Sequence, residues 1–258
     1  MPVQRLRKLV AFERLLARLT AADVPTWALK GGYAMELRMR SARTTKDVDI
    51  SVELRPASPS PEVQALEISD ILQRAAANDL TDFFRFTVGA ATQELDGAPY
   101  GGVRFPVVSF VGAKVFEQFN IDVAANEGYE EFDHLTPAHR LGFAGIESTS
   151  IRTIPVERHF AEKLHAYTLR RQTLNSRTKD LVDMLLFVEY ECPDPLKLRA
   201  AILKTFQLRG THDVPQDFPP PPDGWRGPFA QMARECGVSP DLDLAFERIS
   251  TFLKPVLV

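Results

Sequence analysis

Residues 29 to 50 read Leu29-Lys-Gly-Gly-Tyr-Ala-Met-Glu-Leu-Arg-Met-Arg-Ser-Ala-Arg-Thr-Thr-Lys-Asp-Val-Asp-Ile50. The apolar run before them, Thr26 to Leu29, predicts a strand. Gly31-Gly32 ends it, and a short helical pattern follows from about Tyr33 to Arg40. Asp47-Val48-Asp49 opens a second strand, Val48 to Leu54. In a strand, residues i and i+2 share a side. Asp47 and Asp49 therefore aim together, while Val48 and Ile50 face apolar packing. Two carboxylates held that close repel unless a cation sits between them. Hard oxygen donors suit Mg²⁺ (or Mn²⁺), which takes one or two carboxylates together with substrate phosphates. Glycine lets the backbone approach a phosphate, and the helix after Gly32 would turn free N–H groups toward an anion. Lys30, Gly31, Gly32, Thr45 and Lys46 are the candidate phosphate contacts. Each half of the segment also has an ordinary reading, as a plain turn and as a solvated strand edge.

A third carboxylate stands out in Asn120-Ile-Asp-Val-Ala124. Asp122 is flanked by Ile and Val in a run that otherwise reads as a buried strand. Burial there is unfavourable unless the charge is paired or metal-bound. An edge-strand aspartate facing water is the alternative.

Two later stretches carry further candidates, Glu162-Lys-Leu-His-Ala166 and Arg177-Thr-Lys-Asp-Leu-Val-Asp-Met184. Lys163 flanks a helical apolar stripe of Phe160, Leu164 and Tyr167, and could act as a point charge for phosphate. Asp180 could complement a helix dipole, and Asp183 could be a surface charge. Residues 151–180 hold seven basic side chains, among them Lys163, Arg170, Arg171, Arg177 and Lys179, against three acidic ones. Such a local excess suits a triphosphate or an RNA end.

The totals set bounds. The chain has 258 residues and a formal charge of −3, so a nucleic-acid partner must be met by a local patch. Cys192 and Cys236 form neither a metal spacing nor a disulfide framework, which fits a reducing cytoplasm. No apolar run approaches the roughly 18 residues of a membrane span, and no signal-like core opens the chain. A cytoplasmic protein without a membrane partner is expected.

Residues 4 to 22 read as an amphipathic helix with a basic side of Arg5, Arg7, Lys8, Arg14 and Arg18, either a solvated face or an RNA contact. A turn-rich break covers Pro56 to Pro61, and a helix runs from about Glu62 to Asn78. Strands are predicted at Phe83 to Ala90, Val103 to Val111 and Phe116 to Ala124, with a turn at Gly97 to Gly102. From about Ile151 strand-like runs stop. Helices are expected from Pro155 to Arg171, from Thr178 to Glu191, and in a tail from about Pro228 that ends before Pro255. Pro219-Pro-Pro-Pro222 reads as a polyproline strut or a partner motif. The expected fold is α/β: a domain over 1–150 with a mixed sheet flanked by helices, then a helical domain over 151–258.

Lys30-Gly-Gly32 with Arg43-Thr-Thr-Lys-Asp-Val-Asp49 resembles the first motif of nucleotidyltransferases related to DNA polymerase β. More narrowly it is similar to the AbiEii/AbiGii abortive-infection toxin family, which includes the MenT toxins. Residues 162–166 and 177–184 match that family's Glu-Lys-Leu-x-Ala and Arg-x-Lys-Asp-x-x-Asp motifs. Thr211-His-Asp-Val-Pro215 and Pro221-Pro-x-x-Trp225 resemble its tail. Residues 55–115 carry no matching motif. The resemblance implies a metal-dependent nucleotidyltransferase acting as the toxin of a toxin–antitoxin or abortive-infection system. It would move an NMP from an NTP to an RNA acceptor, a tRNA 3′ end, and block translation. By matching position, Asp47, Asp49 and Asp122 hold metal, Lys163 and Asp180 are needed for transfer, and the helical domain contributes those two to the site. Arg177 and Lys179 accompany them on phosphate. A cognate antitoxin is expected, and Thr44 or Thr45 matches a loop hydroxyl that an antitoxin phosphorylates in related toxins. Two other readings stay open: a small-molecule nucleotidyltransferase of the antibiotic-modifying kind, and a non-catalytic nucleotide- or partner-binding module.

Overall fold

The computed structural model describes residues 2–39, 42–54, 60–95, 98–126, 130–169 and 177–257. The expected features at Arg40, Pro56, Gly97, Arg170 and Arg171 lie outside the described residues. The chain divides into two compact units, Met1–Arg38 with Thr44–Ile154, and Met39–Arg43 with Pro155–Val258.

The first unit starts with helix α1 (Val3–Ala21), whose Leu9, Phe12, Leu15, Leu16 and Leu19 are buried. Its basic side is not a solvated face throughout. Arg14 and Arg18 are buried and both bond Asp82, at 2.6 Å and at 2.6 and 2.8 Å. Helical spacing predicted the stripe, but only a distant turn supplies the carboxylate that draws these two arginines inward.

Strand β1 (Trp27–Lys30) passes directly into helix α2 (Gly31–Arg38), which begins at the glycines and not at Tyr33. Strand β2 is Val48–Glu53 and helix α3 is Pro61–Ala76, N-capped by Ser60, whose hydroxyl accepts from the Val63 N–H. Then come β3 (Phe84–Val88), β4 (Gln93–Glu94), β5 (Gly102–Val111), β6 (Lys114–Asn126), β7 (Asp133–Leu135) and β8 (Ile151–Thr153). Among the described residues they form one eight-stranded mixed sheet in the order β3-β5-β6-β2-β1-β8-β7, with β4 on β5. β2 runs parallel to β6 and β1 parallel to β8, while the other pairs are antiparallel. Sequence patterning misses β4, β7 and β8, each two or three residues long. Strands that short carry too few residues for an alternation to register.

The apolar residues of the central strands share one face of the sheet, which packs in the core with α1. Val48, Ile50, Val52, Ile121 and Val123 are fully buried. Phe12 of α1 packs edge-on against Tyr33 and Phe119, with ring centres 5.1 and 4.8 Å away. Arg38 closes α2 by donating to Asp133, Thr153 and the Ile154 carbonyl, which ties the helix to β7 and β8.

The second unit is helical: α4 (Val156–Thr168), α5 (Thr178–Leu186), a π-helical turn (Phe187–Glu191), α6 (Pro195–Arg209), α7 (Arg226–Glu235) and α8 (Leu242–Leu257). The predicted helix over 178–191 thus changes winding at Phe187. Asp194 caps α6 through the N–H groups of Leu196 and Lys197, both at 2.9 Å. α8 runs through Pro255, contrary to the expected stop. The proline segment is an internal strut. Phe218 stacks on Tyr167 at 4.8 Å, Trp225 is buried beside it, and the Tyr167 hydroxyl donates to the Pro219 carbonyl. Cys192 and Cys236 are both free. No helix of the described residues is long and apolar enough to cross a membrane.

Candidate active site

In the first unit the pairing of four strands sets up one row of charges. Lys30 of β1 stands opposite Asp49 of β2, Asp49 opposite Asp122 of β6, and Asp122 opposite Arg104 of β5. Directly paired residues project their side chains to the same face of a sheet. Two carboxylates are therefore bracketed by two cations along a line across the strands. Asp47 lies two residues before Asp49, at the entry to β2. Its Oδ1 accepts from the Asn120 side-chain amide at 3.2 Å and the Asn120 N–H at 3.4 Å. Its Oδ2 is 3.8 Å from the Arg104 guanidinium.

Asp122 is held most firmly. Arg104 Nε and Nη2 donate to its two oxygens at 2.7 Å each, a bidentate pair. That bond, with the charges of Asp122, Asp47 and Asp49, raises Arg104 above its ordinary pKa against the opposing effect of burial. The cation the sequence calls for among these carboxylates is thus partly supplied by the chain itself. Among the described residues, no three imidazole, thiolate or carboxylate groups are clustered as they stand so as to hold a metal ion. The donor set is all hard oxygen, which fits Mg²⁺ or Mn²⁺, and a guanidinium drawn among all three carboxylates marks the place as suited to positive charge.

Gly31 is the other fixed point. Its φ is +64°, and a Cβ there would lie 2.2 Å from Asp49 Oδ2. The residue is glycine because a carboxylate occupies the space of a side chain. Thr45 is buried and its hydroxyl donates to the Asp47 carbonyl at 3.1 Å, bracing the turn ahead of the pair. Thr44 and Lys46 are exposed, while Gly32 is buried at the start of α2.

The second unit brings together the later candidates. Lys163 of α4 bonds Asp180 at 3.1 Å and Asp183 at 2.8 Å. Asp180 also takes Arg177 at 3.4 Å. Asp183 is fully buried and forms a two-point pair with Arg43, both contacts at 3.1 Å. Burial pushes Lys163 down, yet Asp183 and Asp180 outweigh it and leave the ammonium above its ordinary range. Asp183 is the mirror case: burial would raise it, but Lys163 and Arg43 hold it at about 2. Lys163 is accordingly an oriented cation with two carboxylates against it. Lys179 is exposed on α5.

The profile of a family described as nucleotidyl transferase AbiEii toxin, type IV toxin–antitoxin system, matches residues 14–253. The chain belongs to the AbiEii family. AbiEii proteins are nucleotidyltransferase toxins, so membership brings an NTP substrate and an antitoxin partner. Solved structures agree on the fold. The nucleotidyltransferase toxin MenT4 of Mycobacterium tuberculosis H37Rv is 16% identical, with a TM-score of 0.54 over 96% of this chain and 82% of that one. JHP933 of Helicobacter pylori is 14% identical, with a TM-score of 0.53 over 100% and 93%. No curated protein sequence matches the chain.

Four residues of this AbiEii chain escaped the sequence reading. Arg104 lies in a region without a motif, and only strand register reveals its partner. Asn120 carries no charge to stand out beside Asp122, and its contact with Asp47 spans 73 residues. Asp183 reads from helical spacing as a surface charge. Arg43 belongs to the first motif, but its partner lies 140 residues away.

Proposed function

We propose that this AbiEii toxin transfers a nucleoside monophosphate from an NTP to an RNA acceptor, a tRNA 3′ end, and thereby stops translation. The observation that carries the reading is the row of Asp49 and Asp122 on neighbouring strands, with Asp47 beside them and Gly31 against Asp49. Asp47, Asp49 and Asp122 would hold Mg²⁺ or Mn²⁺. Such an ion, when bound, would screen the triphosphate and polarise its α-phosphorus. Lys30, Gly31, Gly32 and Lys46 would contact phosphate oxygens. Asp122 would take the proton of the attacking ribose hydroxyl as its oxygen bonds phosphorus and the bond to pyrophosphate breaks. In this reading 1–150 is the transferase domain, and the helical 151–258 supplies Lys163 to neutralise phosphate charge, with Arg177 and Lys179. Asp180 would keep Lys163 oriented, as their 3.1 Å contact supports.

Regulation by phosphorylation fits the same loop. Thr44 offers an exposed hydroxyl, whereas the Thr45 hydroxyl is spent on the Asp47 carbonyl. A phosphate at either would set a dianion beside the carboxylates and repel the triphosphate. Mass spectrometry of the peptide over 43–54 after co-expression with the neighbouring gene product tests this, and an unmodified peptide counts against it.

The deciding experiment incubates the protein with each α-labelled NTP, Mg²⁺ and total RNA. Label on tRNA, lost in Asp49→Asn, is expected. Label on a small acceptor would instead make it a small-molecule transferase. Undiminished cellular toxicity in Asp49→Asn would point to a binding module.

A further inference from the structure

The Arg104–Asp122 pair sits awkwardly with a plain metal site. Both Asp122 oxygens are engaged by Nε and Nη2, in the geometry of a strong charge-assisted pair. A carboxylate so engaged has little to offer a second cation. Nor is Arg104 a surface side chain that happens to lean inward. Its backbone is fixed on both sides, opposite Asp122 on β6 and Gln93 on β4, and the Thr92 N–H bonds its carbonyl at 2.9 Å. Strand register alone delivers the guanidinium to the row, and its reach extends to Asp47 at 3.8 Å. The side chain keeps about a third of its surface exposed, at 32%, against 13% for Asp122. It therefore has a way out toward solvent that Asp122 lacks.

We propose that Arg104 is a built-in competitor of the divalent cation: its guanidinium neutralises the carboxylate row and must leave Asp122 before that residue can serve as a metal ligand. The proposal rests on the reading of Asp47, Asp49 and Asp122 as metal ligands. It makes Arg104 a positioning residue that sets how readily the third ligand is released. The two cations compete because the guanidinium already sets positive charge and a donor against each of the two oxygens. Arg104 holds the carboxylates together without metal, so cation binding is made weaker and dependent on the incoming triphosphate, whose phosphates offer the displaced guanidinium a new partner.

The test is Mn²⁺ binding to the full chain, by electron paramagnetic resonance titration without nucleotide. Wild type is compared with Arg104→Gln, Arg104→Lys, Asp122→Asn, Asp49→Asn and the double variant Arg104→Gln/Asp122→Asn, each checked for folding by circular dichroism. Arg104→Gln should bind Mn²⁺ about tenfold more tightly, and Arg104→Lys, which keeps charge but only one contact, by less. In the Asp122→Asn background the gain should vanish. Unchanged or weaker Mn²⁺ binding in both folded Arg104 variants would overturn the proposal alone, as would an equal gain without Asp122. Wild-type-like binding by Asp49→Asn would overturn the metal reading, and the proposal with it. Where Arg104→Gln fails to fold, Arg104→Lys decides by the same criterion.

Discussion

Gly31 and Asp49 occupy each other's space: a Cβ on Gly31 would fall 2.2 Å from Asp49 Oδ2 and 2.6 Å from its Cγ. Gly31→Ala should therefore injure stability and site together. A non-glycine residue at φ +64° costs roughly 1–2 kcal/mol from the backbone alone. The displaced carboxylate adds a loss of transfer activity of about 10²-fold, the scale of a misplacement near 1 Å. Gly112→Ala is the control, since its φ is +59° and nothing lies within 4 Å. It should show the backbone effect in urea denaturation and leave NMP transfer intact.

Asp183 is the most completely buried carboxylate of the second unit, with Lys163 and Arg43 on its oxygens. Asp183→Asn leaves two cations with one fewer counter-charge, and breaking a buried pair costs about 3–5 kcal/mol. The pH dependence has a definite sign. Asp183 is held at about 2 against an ordinary 3.8, so the unfolded chain binds its proton first as pH falls. Its stabilisation is present above about pH 4 and is lost between there and about 2, on the order of 2 kcal/mol. Urea midpoints of wild type and variant should converge in that window. A constant gap down to pH 2 would contradict the assignment.

Asp82 is reached by two arginines from α1, and it sits between Thr81 and Phe83, both at positive φ. Burial would raise its pKa, but the hydrogen bonds from Arg18 and Arg14 outweigh that and hold it low. Asp82→Ala strands Arg14 and Arg18 in the core, and about 3–5 kcal/mol of stability should go with it. Arg18→Met, which removes one cation and keeps its apolar length, should be milder because Arg14 still answers Asp82. Denaturant unfolding of the two variants ranks them, and the reverse order would refute the account.

Legibility in the sequence differs by kind of residue. Gly31, Asp47 and Asp49 sit within a single strand–turn–helix–strand segment, where local periodicity sets which way side chains point. Asp122 was legible because a charge in an apolar strand is conspicuous. Arg104 was not, because a long arginine side chain can carry its charge to water from an apolar strand, and its importance arises from the β5–β6 register. The α1 arginines look like solvent-facing charges until the turn at Asp82 is brought to them. The short β7 and β8, three residues each, are too brief for an alternation to show in the sequence.

His165 lies in the Glu162–Ala166 motif, buried, with Nε2 2.9 Å from the Thr211 hydroxyl. Its ring packs edge-on to Phe206 at 4.9 Å and faces His212 at 4.6 Å. Burial first, then the charges of Arg209 and His212, push it down to about 4 from 6.5, with Glu162 opposing. Between those values the unfolded chain carries the proton and the folded chain refuses it. Stability should therefore fall as pH drops from about 6.5 to about 4, by roughly 2–3 kcal/mol. His212 is depressed in the same direction and adds to the slope. His165→Phe removes the titrating group and keeps a ring against Phe206. Its urea midpoint should vary less over that window than wild type's, with the curves diverging most near pH 4. Parallel curves would mean that His165 takes up its proton in the fold as readily as in the unfolded chain.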